Sequence, residues 1–264
     1  MAGLVHSIQP LRWTASPDDI IVRVEKIELA VGESLRRDFY YRPESVGDKR
    51  VIEQIFQNQD YALGYFSLTA RLMKLGEAES RRGRELLIID AGANIGAAAL
   101  YFSFRFSGSK VIAIEPEKKN CELLRMNCAG LNIAVVEAAL GCEAGKSFLS
   151  DPGLSDWGFR TGDTGEYEVE VVTVDQLFGT LDKEKAAPFI CKIDIEGGEA
   201  ELFRRNYSWL GRFPLVIIEL HDWLLPGEGN SRNFLKAALE FDFDFVYRGE
   251  NLFCFNNALL RKYA

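Results

Sequence analysis

Four consecutive apolar residues, Leu86-Leu87-Ile88-Ile89, end at Asp90 and run straight into a turn of small residues, and this junction constrains the fold more than any other stretch. A short unbroken apolar run reads as a strand buried on both faces, the state of a strand inside a parallel sheet. The unit then repeats. Gly96 to Phe106 reads as a helix, Lys110 to Ile114 as a strand, Glu117 to Cys128 as a helix with Cys121, Leu124 and Cys128 on one face, and Ala134 to Val136 as a third strand. Alternation of this kind requires crossover helices and a parallel sheet. It breaks where Ser147 to Ser150 and Glu166 to Val174 flank the loop Asp151 to Gly165, which predicts an inserted antiparallel hairpin. It resumes with strands Phe189 to Asp194 and Leu215 to Leu220 and a helix Phe234 to Phe241. A closing hairpin of Phe243 to Tyr247 with Leu252 to Phe255 turns around Arg248-Gly249-Glu250-Asn251. The predicted class is α/β, a doubly wound and mostly parallel sheet with an antiparallel closing hairpin.

Residues 1–80 read as a strand and helix extension to a main domain of residues 81–264. Ile20 to Leu29 alternates apolar and charged residues like a half-buried strand, with Phe39-Tyr40-Tyr41 as its hairpin partner. Apolar residues fall at helical spacing from Asp48 to Leu75 with a break at Gly64; Asp48 is expected to cap the first helix and Gly76 to end the second. A length of 264 residues suits one large domain with an extension. The net charge of -8 argues against a nucleic-acid partner, because phosphate binding depends on clustered Lys and Arg. Arg81-Arg82-Gly83-Arg84 is too short to change that and reads as a solvated loop. Cys121, Cys128, Cys142, Cys191 and Cys254 have the spacing of neither a disulfide framework nor a zinc site. With no long apolar run and no signal-peptide order in Met1 to Pro17, the expectation is a cytoplasmic protein without a membrane partner.

Asp90-Ala91-Gly92-Ala93-Asn94-Ile95-Gly96 lies where the buried strand becomes a helix. Small residues there let backbone approach a ligand, and a helix start offers oriented N–H groups. A dinucleotide turn is Gly-x-Gly-x-x-Gly, with no anion beside the pyrophosphate. Here Asp90 opens the turn and Asn94 replaces the second glycine, so acceptors border the loop. They suit a cation with an amino-acid tail, such as S-adenosylmethionine, whose ammonium Asp90 can meet directly or through water. An Asp that caps the helix is the structural alternative.

Glu115 follows at the end of the next strand, about 20 residues on, where an acid accepts ribose hydroxyls of either cofactor class. Pro116 fits the first turn of the following helix and borders the same place. In Glu137-Ala138-Ala139-Leu140-Gly141, backbone near Ala139 is expected beside the adenine. Lys192-Ile193-Asp194-Ile195-Glu196-Gly197-Gly198-Glu199 ends the fourth parallel strand. Its carboxylates Asp194, Glu196 and Glu199 repel one another unless Lys192, a sulfonium or a divalent ion such as Mg²⁺ offsets them, and no ligand spacing assigns a metal. Asp194 and Glu199 also read as a helix cap and a helix start. His221 ends the fifth strand, where a neutral imidazole can take a proton from an attacking hydroxyl, or can simply fill the core. Asp222 and Trp223 are placed to line an acceptor pocket; Trp157 and Phe159, with the N-terminal segment, are expected to form the lid and that pocket, with a plain hydrophobic anchor as the alternative for Trp157. His6 is assigned no role. On residues alone, a nicotinamide-dependent oxidoreductase and a non-catalytic module of the same fold stay open.

The four blocks Asp90 to Gly96, Ile114-Glu115-Pro116, Lys192 to Glu199 and Ile218-Glu219-Leu220-His221, in that order, resemble the FkbM-type S-adenosylmethionine-dependent methyltransferases. The resemblance covers Leu86 to His221, and Gly47 to Leu63 more weakly. It implies a Rossmann-like methyltransferase fold, S-adenosylmethionine as cofactor, and O-methylation of a small-molecule acceptor such as a sugar, polyketide or other secondary metabolite. It implies further that Asp90, Gly92, Asn94, Gly96 and Glu115 bind the cofactor, and position adds Ala93, Pro116, Ala139 and Asp194 to the expected cofactor site. Asp194, Glu196, Glu199 and His221 would surround the reacting methyl. The N-terminal strands and the Asp151 to Gly165 loop match nothing in the resemblance.

Overall fold

A strand with apolar side chains on both faces needs a strand at each edge and a layer over each face. The computed structural model describes residues 4–5, 25–31, 35–64, 66–150, 160–162, 164–165 and 167–264. His6, Trp157, Phe159 and the first half of the expected strand from Ile20 lie outside these residues. In chain order the elements are β1 (Leu4–Val5), β2 (Glu25–Val31), β3 (Leu35–Tyr41), α1 (Val46–Ile52), α2 (Thr69–Arg81), β4 (Glu85–Ala91), α3 (Ala97–Arg105), β5 (Lys110–Glu115), α4 (Lys118–Cys128) and β6 (Ile133–Glu137). They continue with β7 (Ala139–Leu140), β8 (Gly145–Ser150), β9 (Arg160–Gly162), β10 (Tyr167–Val172), α5 (Val174–Gly179), β11 (Ala186–Ile193), α6 (Glu199–Leu202), β12 (Leu215–Glu219), α7 (Arg232–Ala238), β13 (Phe243–Arg248), β14 (Asn251–Asn256) and α8 (Asn257–Leu260).

Seven strands form the central sheet in the order β6-β5-β4-β11-β12-β14-β13. The first five are parallel, and β14 and β13 close the sheet antiparallel. The chain winds outward from β4 in one direction and from β11 in the other, so the switch point lies between these two strands. Ligands of such sheets sit beyond the carboxyl ends at that point. Alternate residues feed two cores. Ile88, Ile190, Leu215 and Ile217 pack with α2, α3, α4 and the N-terminal strands, whereas Leu87, Ile89, Cys191 and Val216 pack with α5 and α7.

The extension is tied into this body. β2 and β3 form the expected hairpin, and Ile27, Leu29 and Phe39 join the first core. Asn127 of α4 is buried and bonds both backbone groups of Tyr40 and the carbonyl of Ile95. The insertion also forms as expected, with β8 and β10 antiparallel, but they join β7 and β9 in a separate four-stranded sheet. All five cysteines are unpaired. No helix among the described residues is long and apolar enough to cross a membrane.

Two local expectations are corrected. Ser45, not Asp48, caps α1; Asp48 is fully buried in an ion pair with Arg42 at 2.6 Å. Gly76 does not end α2, which runs to Arg81; it lies 3.2 Å, measured from an added Cβ, from the Phe189 ring, so the missing side chain lets helix and sheet close together. Gly92 has a stricter reason. Its φ is 75°, and a Cβ there would sit 1.6 Å from the Asp194 carbonyl oxygen. Gly92→Ala is therefore expected to cost about 3 kcal/mol or more and lower Tm by roughly 10 °C. Gly64→Ala, with open space around the new methyl, should stay within about 0.5 kcal/mol. Thermal unfolding of the two variants checks this, and equal melting would refute the close-approach argument.

Candidate active site

Parallel register sets the centre of the site. Lys192 of β11 pairs directly with Asp90 of β4, so two charged side chains leave adjacent strands side by side at the switch point. The Lys192 Nζ is 3.2 Å from Asp90 Oδ1 and 3.5 Å from Asp194 Oδ2, and it donates to the carbonyls of Gly92 at 2.8 Å and Ala91 at 3.3 Å. Burial opposes the ammonium charge, but Asp90 and the other groups around it outweigh burial and hold its pKa well above the ordinary lysine value. Asp90 is fully buried and does not line the cleft, whereas Asp194, on the same ammonium, does.

The cleft opens over the strand tips. Of the residues expected at a cofactor site, Gly92, Ala93, Asn94, Glu115, Pro116, Ala139 and Asp194 line it, together with Glu196. Gly96 instead starts α3 with φ 93° and packs under Leu124. Asn94, itself at φ 48°, donates its backbone N–H to Glu115 Oε2 at 2.9 Å, and its side chain accepts from Ile95 N at 2.7 Å. Glu115 Oε1 accepts from Glu117 N at 3.1 Å and Asn120 Nδ2 at 3.3 Å. Burial pushes the Glu115 carboxyl up to about 7 despite these donors. A carboxylate has roughly four lone-pair sites, so about one stays free for a hydroxyl from the cleft, and a second hydroxyl can replace the long Asn120 bond.

At the other side, β12 carries Glu219 and leads into His221, which is 1% exposed. The His221 Nδ1 lies 2.8 Å from Glu199 Oε1, and Asn230 donates to the other Glu199 oxygen. Its Nε2 faces Glu196 Oε2 and Glu219 Oε1 at 3.5 Å and Asp194 Oδ1 at 3.6 Å. Burial opposes protonation, but the Glu199 bond and the surrounding charges raise the imidazole to about 9. This differs from the neutral imidazole expected from its ordinary pKa, and the carboxylates of Glu199, Asp194 and Glu196 are the cause. Burial, followed by the charge of Asp194, raises Glu196 and Glu219 to about 8 each.

His221 and Glu199 do not line the cleft; they lie behind its acidic wall. Trp223 lines the mouth at 56% exposure, while Asp222 instead accepts from Ser231 N. Residues not anticipated are Tyr61, Asn120, Glu219 and Glu250, with Arg50 and Gln54 from the extension. Glu219 stood in the Ile218-Glu219-Leu220-His221 block, and its place at a strand tip was the signal that could have found it. Nothing in the local pattern of Tyr61 marks it.

The Methyltransferase FkbM domain matches residues 90–248. No curated protein matches the chain. Among solved structures, methyltransferase FkbM from Methylobacillus flagellatus KT is similar at 18% identity and TM-score 0.43, over 66% of this chain and 44% of that one. The chain thus spans less than half of that protein's length. The O-methyltransferase from Bacillus cereus in complex with SAH has 12% identity and TM-score 0.39, over 78% and 89% of the two chains. A methyltransferase from Geobacter sulfurreducens has 17% identity and TM-score 0.39, over 81% and 90%. The strand order described above, with its antiparallel closing hairpin, is that of a Rossmann-like methyltransferase sheet. With the domain match covering more than half of its length and the matched motifs at the tips of this sheet, the chain belongs to the FkbM methyltransferase family.

Proposed function

We propose that the chain transfers the methyl group of S-adenosylmethionine to a hydroxyl oxygen of a small molecule such as a sugar or polyketide. One observation carries the choice of cofactor: the cleft is acidic. Glu115, Asp194, Glu196, Glu219 and Glu250 line it against Lys192 and Arg50, and Lys192 is already surrounded by acceptors. Such a wall repels a pyrophosphate and attracts a sulfonium and an ammonium. In this reading Glu115 accepts from the ribose, the turn at Gly92 to Asn94 borders the amino-acid tail, and backbone at Ala139 borders the adenine. Asp194 meets the ammonium, and Asp90 acts from below by holding Lys192.

When bound, the cofactor supplies an electrophilic methyl. Glu196, Glu219 and His221 would receive the proton of the acceptor hydroxyl, once the positive charge of the bound cofactor had driven off the protons this cluster holds in the free protein. Orientation of two bound reactants is worth about 7–11 kcal/mol, more than the 10²–10⁴-fold rate gain typical of a base. The extension serves orientation: Arg50, Gln54 and Tyr61 form the wall facing the strand tips, beside Trp223. In this reading the extension contributes to the acceptor pocket through these three residues.

Ionised Glu115 is the better acceptor for ribose hydroxyls. Because its pKa in the free protein is about 7, affinity for S-adenosylhomocysteine should fall as pH drops below 7, by up to about tenfold per unit. Glu115→Ala should weaken binding about tenfold or more and flatten that profile. Protonation of Glu196 and Glu219 acts in the same direction from about 8. His221→Ala should leave cofactor affinity within a few fold and lower turnover about 10²-fold or more. Calorimetry from pH 6 to 8 and a methyl-transfer assay read these outcomes. A pH-independent affinity would remove Glu115 from the cofactor site, and full turnover in His221→Ala would remove the imidazole from the mechanism.

A further inference from the structure

We infer that Asp194, Glu219 and His221 form a binding site for a first-row divalent transition-metal ion, such as Mn²⁺ or Zn²⁺, at the acidic wall of the cleft. Each offers one ligand atom, and these atoms all lie within 4.8 Å of one another. Three carboxylate oxygens stand 3.5 to 3.6 Å from His221 Nε2, each too far for a good hydrogen bond. Ligands bound at about 2.1 Å to one ion lie roughly 3.0 Å apart at right angles and roughly 3.4 Å apart in a tetrahedron, values that the 3.5 and 3.6 Å separations of Glu219 and Asp194 from Nε2 approach.

Independent features point to the same spot. His221 is 1% exposed, its Nδ1 is occupied by Glu199, and its Nε2 has no described partner nearer than 3.5 Å. A carboxylate on the far ring nitrogen is the arrangement that orients an imidazole toward a metal, and Asn230 fixes that carboxylate in turn. Asp194 Oδ1 and Glu196 Oε2 are buried oxygens without a hydrogen-bond partner, and both face Nε2. Five carboxyl groups, Asp90, Asp194, Glu196, Glu199 and Glu219, crowd around two basic groups, Lys192 and His221.

One imidazole among carboxylates favours Mn²⁺, Fe²⁺ or Zn²⁺ over Ca²⁺, which takes oxygen alone. Three protein ligands leave coordination positions open toward the cleft. A hydroxyl bound there would lose its proton more readily; this last step rests on the methyl-transfer reading, and ion binding does not.

The test uses the full chain stripped with a chelator. Mn²⁺ is titrated with loss of the free-ion electron paramagnetic resonance signal as readout, and Zn²⁺ by calorimetry. One ion per chain is expected, with affinity lowered about tenfold or more in Asp194→Asn and Glu219→Gln and unchanged in the exposed Glu184→Gln. Should a variant fail to fold by circular dichroism, spin-echo modulation from an imidazole nitrogen on Mn²⁺ in the unaltered chain decides, since His221 is the one histidine in the cluster. No stoichiometric binding, no imidazole coupling, or affinity indifferent to both substitutions would overturn the site. S-adenosylhomocysteine binding to the stripped protein separates the two readings, because cofactor affinity without metal affinity rejects only the ion.

Discussion

A lysine ammonium buried between two strand tips organises everything above it. Lys192 has three N–H donors, and around it stand the carbonyls of Ala91 and Gly92 and the carboxylates of Asp90 and Asp194. Two buried charges of opposite sign are costly to desolvate, yet losing either one strands the other without compensation. The pair therefore fixes the relation of β4 to β11 at the switch point. It also sorts the carboxylates. Asp90 is spent inward on the ammonium, and Asp194 keeps one oxygen for Lys192 and turns the other toward His221. Gly92 allows this closeness, because a side chain there would collide with the Asp194 carbonyl.

The same logic reaches the N-terminal extension. Arg42 pairs with buried Asp48 and donates to Asn120 Oδ1 at 2.7 Å, and Asn120 Nδ2 donates to Glu115. A continuous polar path thus runs from a helix of the extension to the acid at the end of β5. Every link is buried, so each member is held by the penalty for leaving a neighbour unpaired. The extension shapes the cleft twice, through this path and through the wall of Arg50, Gln54 and Tyr61.

What could be read from the sequence was what depends on neighbours along the chain. Continuous apolar runs such as Leu86 to Ile89 mark buried strands because both faces of one strand report on themselves, and the closing hairpin follows from its own turn. The inserted hairpin was legible for the same reason, but its pairing with Ala139 and Leu140 was not, since that contact is set by docking between distant segments. Asp48 looks like a cap because caps and buried acids share a residue type; only the arrival of Arg42 decides between them. Asp90 is similar. Its position at a strand end was plain, but whether it faces the cleft depends on the register that puts Lys192 beside it. Glu219 and Tyr61 reach the site from separate elements, so no local spacing connects them to Asp194.

The loop after β11 crowds the acidic wall at a cost in backbone strain. Glu196 has φ 53° and Gly197 φ 99°, and a left-handed non-glycine residue costs on the order of 1 kcal/mol or more. That strain turns the Glu196 carboxylate toward Asp194, Glu219 and an imidazole already engaged by Glu199. Folding alone would favour spreading such charges into water. Without a ligand, the cluster limits its repulsion by holding protons, which is the direction of the shifts at Glu196, Glu219 and His221. A bound cation relieves the same repulsion without the protons, so strain and crowding that weigh against the free protein become selectivity for positive charge.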